Sequence, residues 1–157
     1  MIKNKRGDGY VQVCVLIIVV CMILSVFVTF ANSYSTVKLV KRNSKTVLES
    51  YLVKNSIEIY NSVKQGNNNA DSVDADEYIS DLSAFCTFEK SGDFYYHKDD
   101  DGDTVYYLSE PAVGLTEHGK LRLYASYTVY VPIKFDGVTI VTAAVPVTVK
   151  IDLKEKF

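Results

Sequence analysis

Hydrophobic and polar positions divide the chain into three stretches. Residues 10–31, YVQVCVLIIVVCMILSVFVTFA, carry no charge, and no charged residue falls between Asp8 and Lys38. At ~1.5 Å rise per residue, a helix of ~20 apolar residues crosses a ~30 Å hydrocarbon layer. A core helix of a soluble domain keeps one polar face, and this stretch has none, so it predicts a membrane-spanning helix. Residues 32–65 contain neither Pro nor Gly. Within them Val37, Val40, Val47, Leu48, Tyr51, Leu52, Ile59, Tyr60 and Val63 recur at spacings of three and four. That spacing predicts an amphipathic continuation of the helix, frayed at Asn32-Ser33-Tyr34-Ser35 and ended by Gln65-Gly66-Asn67.

Beyond Gly66 the period changes. Asp71 to Asp81 is acidic and predicts a short helix with Tyr78, Ile79 and Leu82 turned inward, after which Phe85 to Phe88 leads into strand. Asp93-Phe94-Tyr95-Tyr96-His97 and Thr104-Val105-Tyr106-Tyr107-Leu108 flank an Asp-Gly turn and predict a hairpin. Leu121, Leu123, Ala125, Tyr127, Val129, Val131 and Ile133 alternate with polar or aromatic residues, and Val141 to Ile151 repeat the odd-numbered pattern. A two-residue turn at Asp136-Gly137 would place the two apolar rows on opposite faces. A three-residue loop with Gly137 in the left-handed conformation pairs Val131 with Val141 and Val129 with Ala143, so that both rows share one face. That face is expected to pack on the inner stripe of the helix. Pro132 and Pro146 fit only edges or bulges. The fold class is α+β: a long N-terminal helix, transmembrane in its first half, on a small antiparallel sheet of about four strands.

Charge sharpens this division. Residues 1–65 hold nine Lys/Arg against three Asp/Glu, a balance of +6, and residues 66–157 hold eight against sixteen, a balance of −8. The basic part flanks the apolar helix, where cations suit anionic headgroups, and the lipid bilayer is its first partner. The acidic part argues against nucleic acid as a ligand. Cys14 and Cys21 lie inside the apolar run and Cys86 is alone beyond it, so there is neither a disulfide framework nor a C-x-x-C pair.

Three readings compete for the first 31 residues. One is a cleaved secretory signal ending at Thr29-Phe30-Ala31, against which the apolar core is longer than the ~7–15 residues usual for such a signal. The second is an uncleaved single-pass anchor. The third begins with Lys3, Lys5, Arg6 and Gly7, followed by Asp8 and, five residues into the remaining chain, by the polar Gln12. This junction resembles the leader of type IV pilins, in particular the TadE-like minor pseudopilins of the Flp/Tad branch. The resemblance covers about the first 40 residues and the overall architecture.

The resemblance implies cleavage by a prepilin peptidase between Gly7 and Asp8, and an assembly role for Gln12 against a neighbouring subunit's terminal amine. Gln12 stands where the family usually has Glu, so its contact would be a neutral hydrogen bond. The implied organisation is a basic leader over 1–7, a transmembrane helix over 8–31, its amphipathic continuation over 32–65 and an extracytoplasmic β-rich domain over 66–157. The implied partners are other pilin or pseudopilin subunits and a membrane assembly platform. Lys38, Lys41, Arg42 and Lys45 balance the leader's basic residues, so the positive-inside rule does not orient the helix. The resemblance places the N-terminus in the cytoplasm and the C-terminal domain outside a bacterial cell.

Candidate chemistry adds little. His97 and His118 are the only histidines and lie in separate hydrophilic segments. No Ser-His-Asp order, glycine-rich phosphate loop or H-E-x-x-H is present. Asp99-Asp100-Asp101-Gly102-Asp103 suggests calcium, but with Gly102 as loop position six, position twelve is Leu108 rather than Glu, so the turn reads as solvated. The expectations are no enzyme activity, no cofactor, no catalytic residue and no metal site. Twelve tyrosines are the one unusual enrichment. They serve strand packing or, through rigid amphipathic contact area, adhesion. The alternative to a pilus subunit is a single-pass membrane-anchored extracellular binding module that does not assemble.

Overall fold

Helix α1 (Asp8–Lys54) runs without a break, as the lack of Pro and of any Gly after Gly9 permits. The structure, a computed structural model, describes residues 8–64, 73–116, 122–135 and 138–153. No fraying occurs at residues 32–35, where the Ser33 hydroxyl donates back to the Thr29 carbonyl at 3.0 Å. One turn residue, Asn55, then separates α1 from α2 (Ser56–Lys64), so the predicted single helix is two. The ladder bridges the gap: Asn55 N–H donates to the Tyr51 carbonyl and Ile59 N–H to the Asn55 carbonyl, both at 3.0 Å. Val63 and Gln65-Gly66 lie outside the residues whose side chains are described.

The chain divides into two compact units, Met1–Ser35 and Thr36–Phe157. In the first, the large apolar side chains from Tyr10 to Phe30 are 46–78% exposed. Among the described residues this is the one helix long and apolar enough to cross a membrane.

In the second unit, Val40, Ser44, Val47, Leu48 and Tyr51 of α1 and Ile59 of α2 are buried, while Val37 and Leu52 are partly so. Tyr60, expected in the same stripe, is 47% exposed. Helix α3 (Ala75–Cys86) closes over this face with Tyr78, Ile79, Leu82 and Cys86 buried. The Asp74 carboxylate caps it, accepting from Asp76 N–H at 2.9 Å and Glu77 N–H at 3.2 Å. It ends at Thr87, whose φ of +52° is left-handed, with Phe88 N–H donating to the Ser83 carbonyl. Phe85, expected to lead into strand, is in this helix and 56% exposed.

Among the described residues six strands follow: β1 (Glu89–Ser91), β2 (Phe94–Lys98), β3 (Thr104–Ser109), β4 (Ala112–Thr116), β5 (Arg122–Phe135) and β6 (Val138–Asp152). All pairings are antiparallel, in the order β1-β2-β3-β5, with β4 and β6 also on β5. Thus β3 and β4 share one edge of β5. Leu108 opposes Val129 and Ala112 opposes Ser126, a slip of one residue that falls at Glu110-Pro111. There Ser109 Oγ accepts the Thr128 N–H at 2.9 Å in place of a backbone carbonyl. The six strands therefore make a sheet five strands wide, because the slip at Pro111 splits one row into β3 and β4; β1 is the row beyond the four expected.

The β5–β6 hairpin keeps both odd-numbered rows on the core face, as expected, but by another device. Val131 pairs with Ala143 and Val129 with Val145, two residues from the predicted register. Phe135 pairs with Val138, so two residues separate the strands, and the extra residue sits at Ile140, where the register slips. Asp136 and Gly137 lie outside the described residues, as does Leu121. Leu123, Ala125, Tyr127, Val129 and Val131 are buried beside Val147 and Val149, under α1 and α3. Burial of such rows against the helices stabilises the unit by about 25 cal/mol per Å² of apolar area.

Candidate functional site

The residues singled out by the sequence sit at the start of α1. Gly7 and the leader lie outside the described residues, and Asp8 is the first residue of the helix. Gln12 stands one turn further on and is exposed. A Cβ added at Gly9 would meet nothing within 4 Å, so no close packing requires glycine there. Along the apolar stretch, Thr29 Oγ1 donates to the Ser25 carbonyl at 2.9 Å, and Ser33 does the same one turn later. Hydroxyls satisfied within the helix suit a hydrocarbon surround. Cys14 and Cys21 are free and exposed.

Potentially reactive groups of the second unit are committed to structure. Cys86 is a buried free thiol, and burial pushes it up, away from the thiolate. His97 reaches the Cys86 carbonyl oxygen, not its sulfur, through Nδ1 at 2.9 Å, and its ring stacks on Tyr106 with centroids 4.8 Å apart. Ser44 Oγ lies 2.6 Å from the Tyr78 hydroxyl. The Tyr127 hydroxyl is buried beside Ser44. Burial raises Tyr78 to about 12 and moves Tyr106 and Tyr127 in the same direction, so all three stay protonated at neutral pH.

The acidic turn is organised by Asp99, whose Oδ1 accepts from Asp103 N–H at 2.8 Å and Asp101 N–H at 3.2 Å. Gly102 takes a φ of +84° within it. Asp103 pairs with Lys134 Nζ at 3.1 Å. Among the described residues no three His, Cys, Asp or Glu are gathered to hold a metal ion. His118 lies outside them.

What sequence reasoning did not assemble is the face of the sheet turned away from the helices. Tyr96, Tyr107 and Tyr130 lie in register across β2, β3 and β5. Their rings stack in a row: Tyr96 and Tyr107 at 5.1 Å and 26°, Tyr107 and Tyr130 at 4.8 Å and 8°. Phe94 packs edge-on against Tyr107 and Tyr130 at 5.5 and 5.7 Å. Beside this ladder opens a cleft of about 410 Å³, lined on one side by Tyr96, Tyr107 and Thr104 and on the other by Pro132, Thr139 and Thr142.

Pro132 accounts for the cleft. The Thr128 N–H points toward the β3–β4 edge of β5, and strand alternation makes every second residue do the same. Tyr130 is the next such residue and pairs with Tyr107; Pro132 follows and has no N–H to offer. Pairing of β3 with β5 accordingly ends at Tyr130. By the same alternation Pro146, opposite Thr128, turns its missing donor to the open edge of β6. The prolines and the even-numbered tyrosines were visible in the sequence; which strand each one faces was not.

The chain matches no model of a known protein family, no curated protein and no solved structure.

Proposed function

We propose that this chain is a non-enzymatic minor pilin or pseudopilin of a Tad/Flp-like type IV pilus or related secretion apparatus. The observation that carries this reading is α1 itself: its exposed apolar side chains run from Tyr10 to Phe30, directly behind Arg6-Gly7-Asp8, with Gln12 the one polar side chain in the first turns. In this reading the leader 1–7 is removed at the cytoplasmic face and Asp8 supplies the new terminal amine. The apolar helix rests in the bilayer before assembly and then packs against the helices of other subunits. The Gln12 side-chain carbonyl accepts a hydrogen bond from a neighbour's terminal amine, without an ion pair, and the unit that begins at Thr36 lies outside the cell.

The second reading, a membrane-anchored extracellular binding module that never assembles, is favoured by the cleft beside Tyr107. Mass spectrometry of the native N-terminus separates the two. A chain beginning at Asp8 supports the pilin reading, and Gly7→Ala is expected to abolish that product. A chain that keeps Met1 supports the anchored module, and one beginning at Asn32 a secreted protein; either result overturns the pilin reading.

A further inference from the structure

We infer that the cleft between the β2–β3 hairpin and the β5–β6 hairpin is a binding site for a neutral saccharide. Its volume of about 410 Å³ falls within the range of small-ligand sites. It is formed by backbone geometry, since Pro132 ends the β3–β5 ladder beside it.

Four features of the lining select the ligand class. Among the described residues, the cationic and anionic groups lining the cleft, Lys134 and Asp103, are paired with each other at 3.1 Å, so neither an anionic nor a cationic ligand meets an unmatched charge there. Tyr107 is covered on both faces, by Tyr96 from β2 and Tyr130 from β5, so a ligand meets only its edge. That excludes stacking of a base or other planar ring on Tyr107, and the positive rim of the ring attracts oxygen. Thr104, Thr139 and Thr142 each bring a hydroxyl that donates and accepts. Pro132, opposite Thr142, adds a small apolar surface to the floor. A ring bearing many hydroxyls and little charge satisfies all four: it exchanges hydrogen bonds with the threonines and with the Lys134–Asp103 pair, and sets its C–H groups on proline. The inference does not depend on whether the chain assembles into a filament.

The test uses the full chain in phospholipid nanodiscs, free of glycosidic detergent, titrated calorimetrically with chitotetraose, cellotetraose, maltotetraose and mannotetraose. Tetragalacturonate and a proline-rich decapeptide serve as anionic and peptide probes. Binding of at least one neutral tetrasaccharide at millimolar concentration or below is expected. Thr142→Val, which keeps the side-chain shape on an exposed strand face, is expected to weaken it about three- to tenfold through loss of one hydrogen bond. Lys134→Met frees the Asp103 carboxylate and is expected to shift preference toward the cationic chitosan tetramer, an effect that loss of folding would not produce. The inference is overturned if no neutral tetrasaccharide binds, if tetragalacturonate or the peptide binds in preference, or if Thr142→Val binds as the native chain does.

Discussion

Ser44 of α1 and Tyr78 of α3 meet through their hydroxyls at 2.6 Å, inside a core where both residues are fully buried. Ser44 is the buried polar residue on an otherwise apolar stripe, and this bond ties α3 to α1 at one point along the helix. Tyr51 makes a second tie about two turns further along the same face: its ring meets Tyr78 edge-on at 6.2 Å, and its hydroxyl accepts the Asp74 N–H at 2.9 Å.

Tyr78→Phe leaves the buried Ser44 hydroxyl without the phenol it meets at 2.6 Å, whereas Ser44→Ala leaves the Tyr78 hydroxyl only its longer contact, at 3.4 Å, with the Ser44 backbone carbonyl. Tyr78→Phe and Ser44→Ala are each expected to lower the stability of this unit by about 1–3 kcal/mol. The double variant is expected to lose less than the sum, since each single variant already removes the bond between the two hydroxyls. Urea titration of the three proteins, followed by far-UV circular dichroism, measures the coupling. Additive losses would show that the two hydroxyls do not interact.

Alkaline pH is expected to unfold the sheet-bearing unit. Tyr78, Tyr106 and Tyr127 are raised by burial above the ordinary tyrosine value of 10.0. The folded state thus keeps protons that the unfolded state releases. Their contribution is intact below pH 10 and falls by about 1.4 kcal/mol per pH unit for each tyrosine above it, for Tyr78 until about 12. Absorbance at the tyrosinate band checks this: Tyr78, Tyr106 and Tyr127 should ionise only together with loss of circular dichroism.

Pro132→Val restores an N–H at the position where pairing of β3 with β5 stops. The ladder is expected to extend by one row opposite Val105, with a gain of about 0.5–1.5 kcal/mol from the added hydrogen bond. Hydrogen exchange should then show a protected amide at position 132, and saccharide binding should fall with closure of the cleft. Rapid exchange at that amide would mean that something other than the proline separates the strands.

The inner and outer faces of α1 are expected to respond differently to truncation. Leu48 is fully buried, whereas Leu39 is 53% exposed. Leu48→Ala should therefore cost about 2–5 kcal/mol, and Leu39→Ala within about 0.5 kcal/mol of nothing, as judged by thermal unfolding. Equal losses would require Leu39 to be covered by another molecule.

Much of this architecture was written in local pattern. An uncharged run of 22 residues has one stable conformation in hydrocarbon, and a stripe at spacings of three and four, or a strict alternation, names helix or strand without knowledge of a partner. Such signals placed α1, the inward side chains of α3, the hairpin at Asp99–Asp103 and the shared core face of β5 and β6. They arise from the backbone's own period, so the chain carries them residue by residue.

Decisions between segments needed the folded unit. The Val129–Val145 pairing rests on a slip at Ile140, which costs little locally and is chosen by the fit of Val147 and Val149 against the core. The break at Asn55 coincides with its side-chain bond to Glu77 on α3, at 2.9 Å, a contact 22 residues away in sequence. The tyrosine ladder and its cleft depend on which edge of β5 Pro132 faces, and that follows only once β3, β4 and β6 have taken their places. Sequence periodicity fixes a side chain's face within its own element; the neighbour that face meets is settled by packing among all of them at once.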